Sequence, residues 1–220
     1  MSQVTHLTAG YGDRVSEPPT YHRRIAEEKR SAILATATRL FAQDGYGGTP
    51  LARIATQAGV STATVFKQFP TKDDLFEAIV VEFWDHEPGS EVALPPSDPR
   101  SSLTALGRRY AALLRKPGMA GLHRMVIAEA PRFPQLARIQ FDLGKEPFFG
   151  QVHRFLGAAA EAGSLRIGDA TLATTQLLGM ISNFVLWPRM LLVDWDPSPL
   201  EVDTIVAEAV ETFLARYAAD

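Results

Sequence analysis

Apolar residues recur every three or four positions along most of this 220-residue chain, which is the spacing of one face of an α-helix. No five-residue stretch alternates between apolar and polar residues as a half-buried strand does. The pattern therefore predicts an all-α protein of about nine helices without internal repeats. Four helices are predicted before residue 87, and the later segments of helical spacing lie near 100–115, 118–130, 134–161, 169–191 and 200–217.

The first two helices are marked by residues that favour helix ends. Helix 1 is predicted to begin near Arg23 and to end at Gly45, a residue suited to the left-handed position after a helix. Thr49 as N-cap and Pro50 at the first helical position predict a short helix 2, because the missing N–H of proline costs nothing there. This helix is expected to run to about Gln57.

A tight turn and a third short helix follow. Gly59 lies in the turn, and Ser61 predicts the N-cap of helix 3, whose inward-facing residues would be Val65 and Phe69. Two short helices joined by a three- or four-residue turn that contains glycine form a helix-turn-helix unit. The sequence therefore predicts such a unit over residues 50–69.

A fourth helix leads to a break in the pattern. Thr71 and Asp74 predict a capping box for a helix that runs from Lys72 to about His86. Residues 87–99 are rich in Pro, Gly and Ser and interrupt the helical spacing. The expected divisions are a flexible arm at 1–22, a helix-turn-helix domain at 23–87 and a second helical domain at 88–220.

Charge is divided unevenly between these parts. The chain has a net charge of -3, but residues 21–72 carry eight Lys and Arg against three Asp and Glu, a net charge of +5, and the 148 residues after them carry -7. Neutralising phosphates drives most of the affinity for nucleic acid, so a basic head fits a polyanionic partner. It also fits a solvated basic surface or a surface for acidic proteins or lipids.

Several classes of protein do not fit this composition. With 46% hydrophobic and 21% charged residues the chain resembles an ordinary globular protein. The longest apolar stretch, 172–187, is too short and too polar to span a membrane, and the N-terminus has no apolar core for a signal peptide, so a cytoplasmic location is expected. The absence of cysteine excludes thiolate catalysis, and the histidines have no metal-ligand spacing, so we expect no cofactor, no metal and no enzymatic activity.

The N-terminal end of helix 3 carries small side chains that suit close approach to DNA. In a helix-turn-helix this end enters the major groove. The run 61–64 offers hydroxyl groups for bases or phosphates and methyl groups for thymine, and Lys67 and Gln68 continue the exposed face. Lys72 lies in the first turn of helix 4, where the helix dipole favours a phosphate.

A set of apolar, glycine and hydroxyl residues with a specific spacing covers residues 27–87. It comprises Ile33-Leu34-Ala35-Thr36-Ala37, Leu40-Phe41, Gly45-Tyr46, Thr49, Ile54-Ala55, Ala58-Gly59-Val60-Ser61, Thr64-Val65-Phe66, Phe69, Lys72 and Leu75. This set resembles the DNA-binding domain of TetR-type transcriptional repressors. The resemblance implies a dimeric, all-helical regulator in which helices 1–3 bind operator DNA, helix 4 leads to a ligand-binding body, and the last two helices pair with a second subunit.

The sequence departs from the family pattern at three positions. Phe66 stands where the family usually has Tyr, whose hydroxyl commonly reaches a phosphate, so Phe66 is expected to pack or to touch a sugar. Ala63 replaces a frequent Gly, and Pro50 replaces a frequent second Thr, which leaves Thr49 as the hydroxyl there. The predicted DNA contacts are Thr49, Arg53, Ser61, Thr62, Ala63, Thr64, Phe66, Lys67, Gln68 and Lys72.

The body shows a second, shorter resemblance. The runs 125–130, 132–134 and 162–166 are similar to the C-terminal domain of AefR-like members of the family. Between residues 100 and 190, Met and Phe are frequent, a composition that suits an adaptable apolar pocket and equally an ordinary core. The predicted effector contacts are Met119, His123, Met125, Phe148, Phe184 and Trp187.

Two helices of the body are candidates for a subunit interface. The helix at 169–191 is apolar nearly all round, which requires burial on both sides, either as a central core helix or between a core and a partner. The last helix has an unbroken apolar stripe from Val202 to Tyr217. The predicted interface residues are Leu177, Ile181, Val206, Val210 and Phe213.

These features together predict a ligand-responsive repressor. It would bind palindromic double-stranded DNA as a homodimer and would be released by a small, largely apolar effector. The alternative is a non-enzymatic helical interaction protein whose basic head binds acidic partners, and an enzyme built on an all-α body is a third reading.

Overall fold

The computed structural model describes residues 21–84, 94–192 and 194–219. Within these ranges the chain is helical, and the only strand-like pairing is one antiparallel bridge between Leu165 and Ala218. The prediction of an all-α fold is therefore confirmed. The predicted flexible arm lies outside the described residues, except for positions 21 and 22, which are already helical. None of the described helices is long and apolar enough to cross a membrane.

Eleven α-helices and one π-helical segment follow one another along the described chain. In order they are α1 (Tyr21–Asp44), α2 (Leu51–Gln57), α3 (Thr62–Gln68), α4 (Lys72–Trp84), α5 (Pro99–Arg115), α6 (Met119–Glu129), α7 (Pro134–Ile139), the π segment (Gln140–Lys145), α8 (Glu146–Glu161), α9 (Ala170–Val185), α10 (Trp187–Leu191) and α11 (Pro199–Tyr217).

Helices α1 to α4 form the head of the molecule. Helix α1 begins at Tyr21, slightly before the predicted start at Arg23, and it ends before Gly45, as predicted. The φ angle of +74° at Gly45 is a left-handed conformation that favours glycine. The predicted end of helix 4 near His86 and the boundary at 87 lie outside the described residues, which end at Trp84 on this side.

Side-chain caps define the helix starts in the head. Ser61 caps α3 by accepting the N–H of Thr64 at 3.1 Å. Thr71 and Asp74 form the predicted capping box, in which the N–H of Asp74 donates to Thr71 Oγ1 at 3.1 Å and the N–H of Thr71 donates to Asp74 Oδ2 at 2.8 Å. The prediction that Thr49 caps α2 is wrong: the N-cap residue is Pro50, which has no acceptor in its side chain.

The body is built around α5, which packs against both α9 and α11. These helices approach one another closely at Gly107, where an added Cβ would lie 2.8 Å from Val206 Cγ1 and 3.1 Å from Ile181 Cδ1. At the surface, Arg108 of α5 forms an ion pair with Asp203 of α11 at 2.9 Å. Helix α8 also packs on α9, so α9 contacts four helices within one chain: α5, α8, α10 and α11.

Two interruptions raise the number of helices above the predicted nine. The segment at 134–161 is continuously helical, as predicted, but it contains the π segment. Within that segment Gly144 lies under the indole of Trp84, and an added Cβ at Gly144 would approach the Trp84 Nε1 to 2.5 Å. The helix predicted at 169–191 ends at Val185, and α10 starts next to Pro188, which lacks an N–H to continue the ladder.

Candidate nucleic-acid interface

The helix-turn-helix is anchored by its core and leaves one face of α3 exposed. Gly59, with φ of +67°, forms the turn between α2 and α3. Val65 and Phe69 are 0% and 2% exposed, so both point inward, as predicted. The exposed side chains of α3 lie on the opposite face and are Thr62, Ala63, Phe66 and Lys67.

The other predicted residues of this helix are partly engaged within the head. The hydroxyls of Ser61 and Thr64 are 2.8 Å apart and hydrogen-bonded to each other as part of the α3 cap. Gln68 is half-buried, and its Oε1 is enclosed without a hydrogen-bond partner among the described residues. Gln68 therefore departs from the exposed face on which the sequence placed it.

Thr49 does not lie on the exposed surface, and its prediction as a DNA contact is wrong. Its side chain is completely buried, and its hydroxyl donates to the carbonyl of Gly45 at 2.9 Å, with the carbonyl of Leu40 at 3.4 Å. Leu40 lies near the C-terminal end of α1, and Gly45 follows that helix directly. Thr49 therefore closes the end of α1 from within the core.

Arg53 lies on the exposed side of α2. Its Nη2 forms an ion pair with Asp44 Oδ2 at 2.9 Å, and both side chains are partly exposed. Exposed ion pairs are weak, so the guanidinium can exchange this carboxylate for a phosphate. Arg39 of α1 adds a second cation nearby and donates to Gln57 of α2 at 2.5 Å.

Lys72 is held by the head itself rather than projecting as a free phosphate contact. Its Nζ donates to the carbonyl oxygens of Tyr46 at 2.7 Å and of Thr49 at 3.2 Å, and it lies 4.4 Å from the centre of the Tyr46 ring. Burial lowers the pKa of Lys72, while the charges of Glu129 and Asp73 oppose that shift. Two of the three ammonium donors are therefore engaged within the head, which gives Lys72 a structural role, and its predicted phosphate contact stays a prediction.

Tyr46 links this head to the body, a feature that the sequence reading missed. Its hydroxyl donates to Asp73, and burial, together with the hydrogen bond to Asp73, raises the pKa of Tyr46. Asp73 also accepts from Gln135 Nε2 of α7 at 3.4 Å, and the ring of Phe133 packs 5.2 Å from that of Tyr46. Glu129, at the end of α6, reaches the same turn beside Gly47. Nothing in the local spacing of these residues indicates this contact.

The six predicted effector contacts lie in different environments. Met119 is fully buried, and Met125 lines a cavity of about 470 Å³ between α1, α4 and α6. Phe148 lines a separate cavity of about 250 Å³ beside Trp84. Phe184 packs edge-on against Trp195, and Trp187 is 53% exposed. The six side chains are thus spread over the core, two cavities and the surface.

His123, the remaining predicted effector contact, forms a polar pair with Gln140 inside the body. Its Nδ1 donates to the carbonyl of Met119 at 2.9 Å, which leaves Nε2 to accept from Gln140 Nε2 at 3.4 Å. The Oε1 of Gln140 is buried without a partner in the described part of the chain. Burial lowers the pKa of His123 below its ordinary value, and the hydrogen bond to Met119 opposes this shift only in part.

The five predicted dimer contacts are buried inside a single protomer, and this prediction is wrong for each side chain. Their exposure is at most 1%, because α5 and α8 pack on α9, and α5 and α9 pack on α11. These residues are Leu177, Ile181, Val206, Val210 and Phe213. Any surface of α9 and α11 that faces a partner must therefore consist of other residues of these helices, those that are exposed in the single protomer.

Two family models match the chain. The model described as "AefR-like transcriptional repressor, C-terminal domain" matches residues 101–219, and the model described as "Bacterial regulatory proteins, tetR family" matches residues 33–79. The first match covers more than half of the chain, and the second covers α2, α3 and parts of α1 and α4.

Individual proteins give the same picture. The transcriptional regulator HbdR of Aromatoleum sp. is 40% identical over 52 residues, which are 24% of this chain and 23% of HbdR. The regulator AcrR of Shigella flexneri is 44% identical over 57 residues, 26% of each chain. The chain thus aligns with about a quarter of the length of these curated relatives. A TetR family regulator from Pseudomonas syringae is 27% identical, with a TM-score of 0.72 over 88% of this chain and 98% of that one.

The placement of Lys72 predicts a loss of stability when its charge is removed. Lys72→Met leaves the carbonyls of Tyr46 and Thr49 without a charged donor, so we expect the free energy of unfolding to fall by roughly 1.5–3 kcal/mol. Urea unfolding followed by circular dichroism measures this change. Lys67→Met is the matched control because Lys67 is exposed, and equal stability of the two variants would contradict the structural role.

The burial of His123 predicts a dependence of stability on pH. Its pKa in the folded state is below the ordinary 6.5, so the unfolded chain binds a proton that the folded chain does not. This contribution to stability is complete above pH 6.5 and is lost as the pH falls below it. Urea unfolding at pH 7.5 and 5.5 should therefore show a smaller loss in His123→Gln than in the unchanged protein. The same loss in both would place the titrating group elsewhere.

Proposed function

The chain belongs to the TetR family of transcriptional regulators, and we propose that it is a repressor that binds palindromic operator DNA as a homodimer and leaves it when a small apolar effector binds. It would act in the cytoplasm and without catalysis. In this proposal residues 23–87 form the DNA-binding domain and residues 88–220 the effector and dimerisation domain. The boundary falls within residues 85–93, outside the described residues.

The observation that carries the proposal is the exposed face of α3. Thr62 and Ala63 lie at its N-terminal end, are exposed, and are small enough for the helix to approach base edges closely. Phe66, one turn later, is 49% exposed. Large aromatic side chains are more often buried than this in a folded protein. A sugar-phosphate backbone packed against Phe66 would supply that cover, and Lys67 beside it would meet a phosphate.

The remaining predicted DNA residues divide into two groups in this proposal. Arg53 contacts phosphate from α2, and Ser61 and Thr64 keep the start of α3 in place through their shared cap. Thr49 and Lys72 act indirectly. Thr49 donates a hydrogen bond to the carbonyl after α1, and Lys72 donates to a carbonyl in the turn before α2. Removing either of these two would weaken DNA binding through the stability of the head.

We place the dimer surface on the exposed residues of α9 and α11. On α9 this face contains Leu172, which is 51% exposed, and the half-buried Gly179, where an added Cβ would meet nothing within 4 Å. On α11 it contains the small residues Ala207 and Ala215, which are exposed. Small side chains allow two helices to approach closely, and exposed leucine favours burial by a partner.

An effector that enters the body would reach α3 through α4. Helix α4 packs on α1 in the head and on α7 and the π segment in the body. Its last residue, Trp84, is 7% exposed and lies against Gly144. A shift of α4 would move the two α3 helices of a dimer relative to each other, so effector and operator would change each other's affinity by the same factor.

Selection of bound duplexes from a random pool tests the DNA-binding proposal. We expect an inverted repeat whose half-sites lie about 34–36 Å apart or further. Lys67→Ala should weaken binding to all duplexes and reduce by about one the slope of log affinity against log salt concentration. Thr62→Ala should instead change the base preference. Arg138→Ala removes the same charge from an exposed position in α7 and should change neither quantity.

Equal affinity for the selected and a scrambled duplex at every salt concentration would contradict specific binding. If the protein then bound acidic proteins or anionic vesicles through the same basic head, the alternative of a non-enzymatic interaction protein would hold instead.

Charge at the centre of the proposed dimer surface should separate the subunits. Gly179→Glu places a carboxylate in open space, so we expect a folded monomer that no longer binds the inverted repeat. Analytical ultracentrifugation at micromolar concentration measures the mass. Gly157→Glu in α8 is the control, since an added Cβ there also meets nothing within 4 Å. A dimeric Gly179→Glu, or a monomeric unchanged protein, would refute this surface.

A further inference from the structure

The cavity of about 470 Å³ that includes Met125 lies where the head meets the body, and we name it the seam cavity. One wall is α1, at positions 35–42, and a second is α4, at positions 79–83. The third wall is the turn before α6 and the first half of that helix, at positions 116–125. The lining therefore comes from both sides of the proposed division of the chain.

The interior of the seam cavity is apolar. Phe41, Ile79, Leu122 and Met125 line it, and each of them is more than nine-tenths buried. The volume falls within the range of about 300–1,000 Å³ that is usual for pockets that bind drug-sized molecules. A ligand of the seam cavity would be held mainly by the burial of its apolar surface.

Two glycines, one just before α6 and one within it, shape this space. Gly118 starts the helix with φ of +86°, and Phe83 of α4 packs so closely on it that an added Cβ would lie 3.0 Å from the Phe83 ring. At Gly121, by contrast, an added Cβ would meet nothing within 4 Å. Because Gly121 lines the seam cavity and has no side chain, the space in front of α6 stays open.

Charged groups around the seam cavity favour a negative ligand. Arg39 and Lys116 are cations in the lining, and Glu82 is the carboxylate there. The N-cap of α6, Gly118, supplies no side-chain acceptor, so the positive end of that helix adds to the two cations. One anionic group on an otherwise apolar molecule matches this balance.

We infer that the seam cavity binds a small apolar compound with one negatively charged group, and that this compound is an effector of DNA binding. The site is new relative to the six contacts expected from the sequence, of which Met125 alone lines it. Its role as an effector site rests on the proposed function. A ligand there contacts α1, α4 and α6 at once, so its affinity depends on how the head is placed against the body.

The test uses 8-anilinonaphthalene-1-sulfonate, an apolar fluorescent probe with one negative charge, and the full chain without DNA. Gly121→Leu would fill the seam cavity from α6, and we expect it to weaken probe binding about tenfold or more. Gly157→Leu introduces the same side chain at an equally open position in α8 and should leave probe binding unchanged. Ala42→Leu fills the cavity from the α1 wall and serves as an independent second variant.

The charge requirement is tested with a matched pair of probes. Lys116→Gln should weaken binding of the sulfonate probe roughly two- to fivefold, the effect of a partly exposed ion pair. Its neutral analogue, N-phenyl-1-naphthylamine, should bind the variant and the unchanged protein equally well. An equal loss for both probes would refute the preference for an anion.

The effector role is tested by adding the selected operator. We expect the sulfonate probe and the operator to change each other's affinity by the same factor, about 5–150-fold, and Gly121→Leu to abolish this response. Unchanged probe binding in both filled variants would overturn the site itself. Probe binding in the cavity without any effect on operator affinity would overturn the effector role. If no operator were found, the proposed function would fail, while the measurements without DNA would still decide whether the seam cavity binds the probe.

Discussion

The enclosure of Tyr46 is the interaction on which the arrangement of the head and the body depends. Its side chain is 2% exposed, with the rings of Phe41 and Phe133 each 5.2 Å away. A buried hydroxyl without a partner would be destabilising, and the carboxylate of Asp73 accepts its hydrogen bond. Asp73 in turn accepts from Gln135 of α7, so one aromatic residue after α1 joins the start of α4 to the body.

Helix α4 is consequently in contact with other elements at both ends. At its start, Lys72 and Asp73 meet the turn that contains Tyr46, and at its end Trp84 lies on Gly144 of the π segment. The seam cavity opens along the same helix, between these two contacts. A helix that is packed at both ends moves as a unit, so in the proposed regulator a ligand beside α4 would displace α3.

The start and end signals of the helices in the head were readable from the sequence because they act over three or four residues. Ser61 and the pair Thr71 and Asp74 cap the helices that follow them, and Gly45 adopts the left-handed conformation expected of it. Thr49 was misread for the opposite reason. Its hydroxyl points back to the end of α1 rather than forward into α2, and nothing in the local pattern distinguishes these two directions.

The sequence by itself determined the all-α class, the helix-turn-helix with its inward Val65 and Phe69, and the basic head. Only the tertiary structure decided that the apolar stripes of α9 and α11 are buried within one protomer. It also decided that a cavity lies between positions 35–42 and 116–125. Periodicity describes one helix at a time and shows which face seeks burial. Which neighbour buries that face, and where packing leaves a gap, depends on distances between helices far apart in the chain.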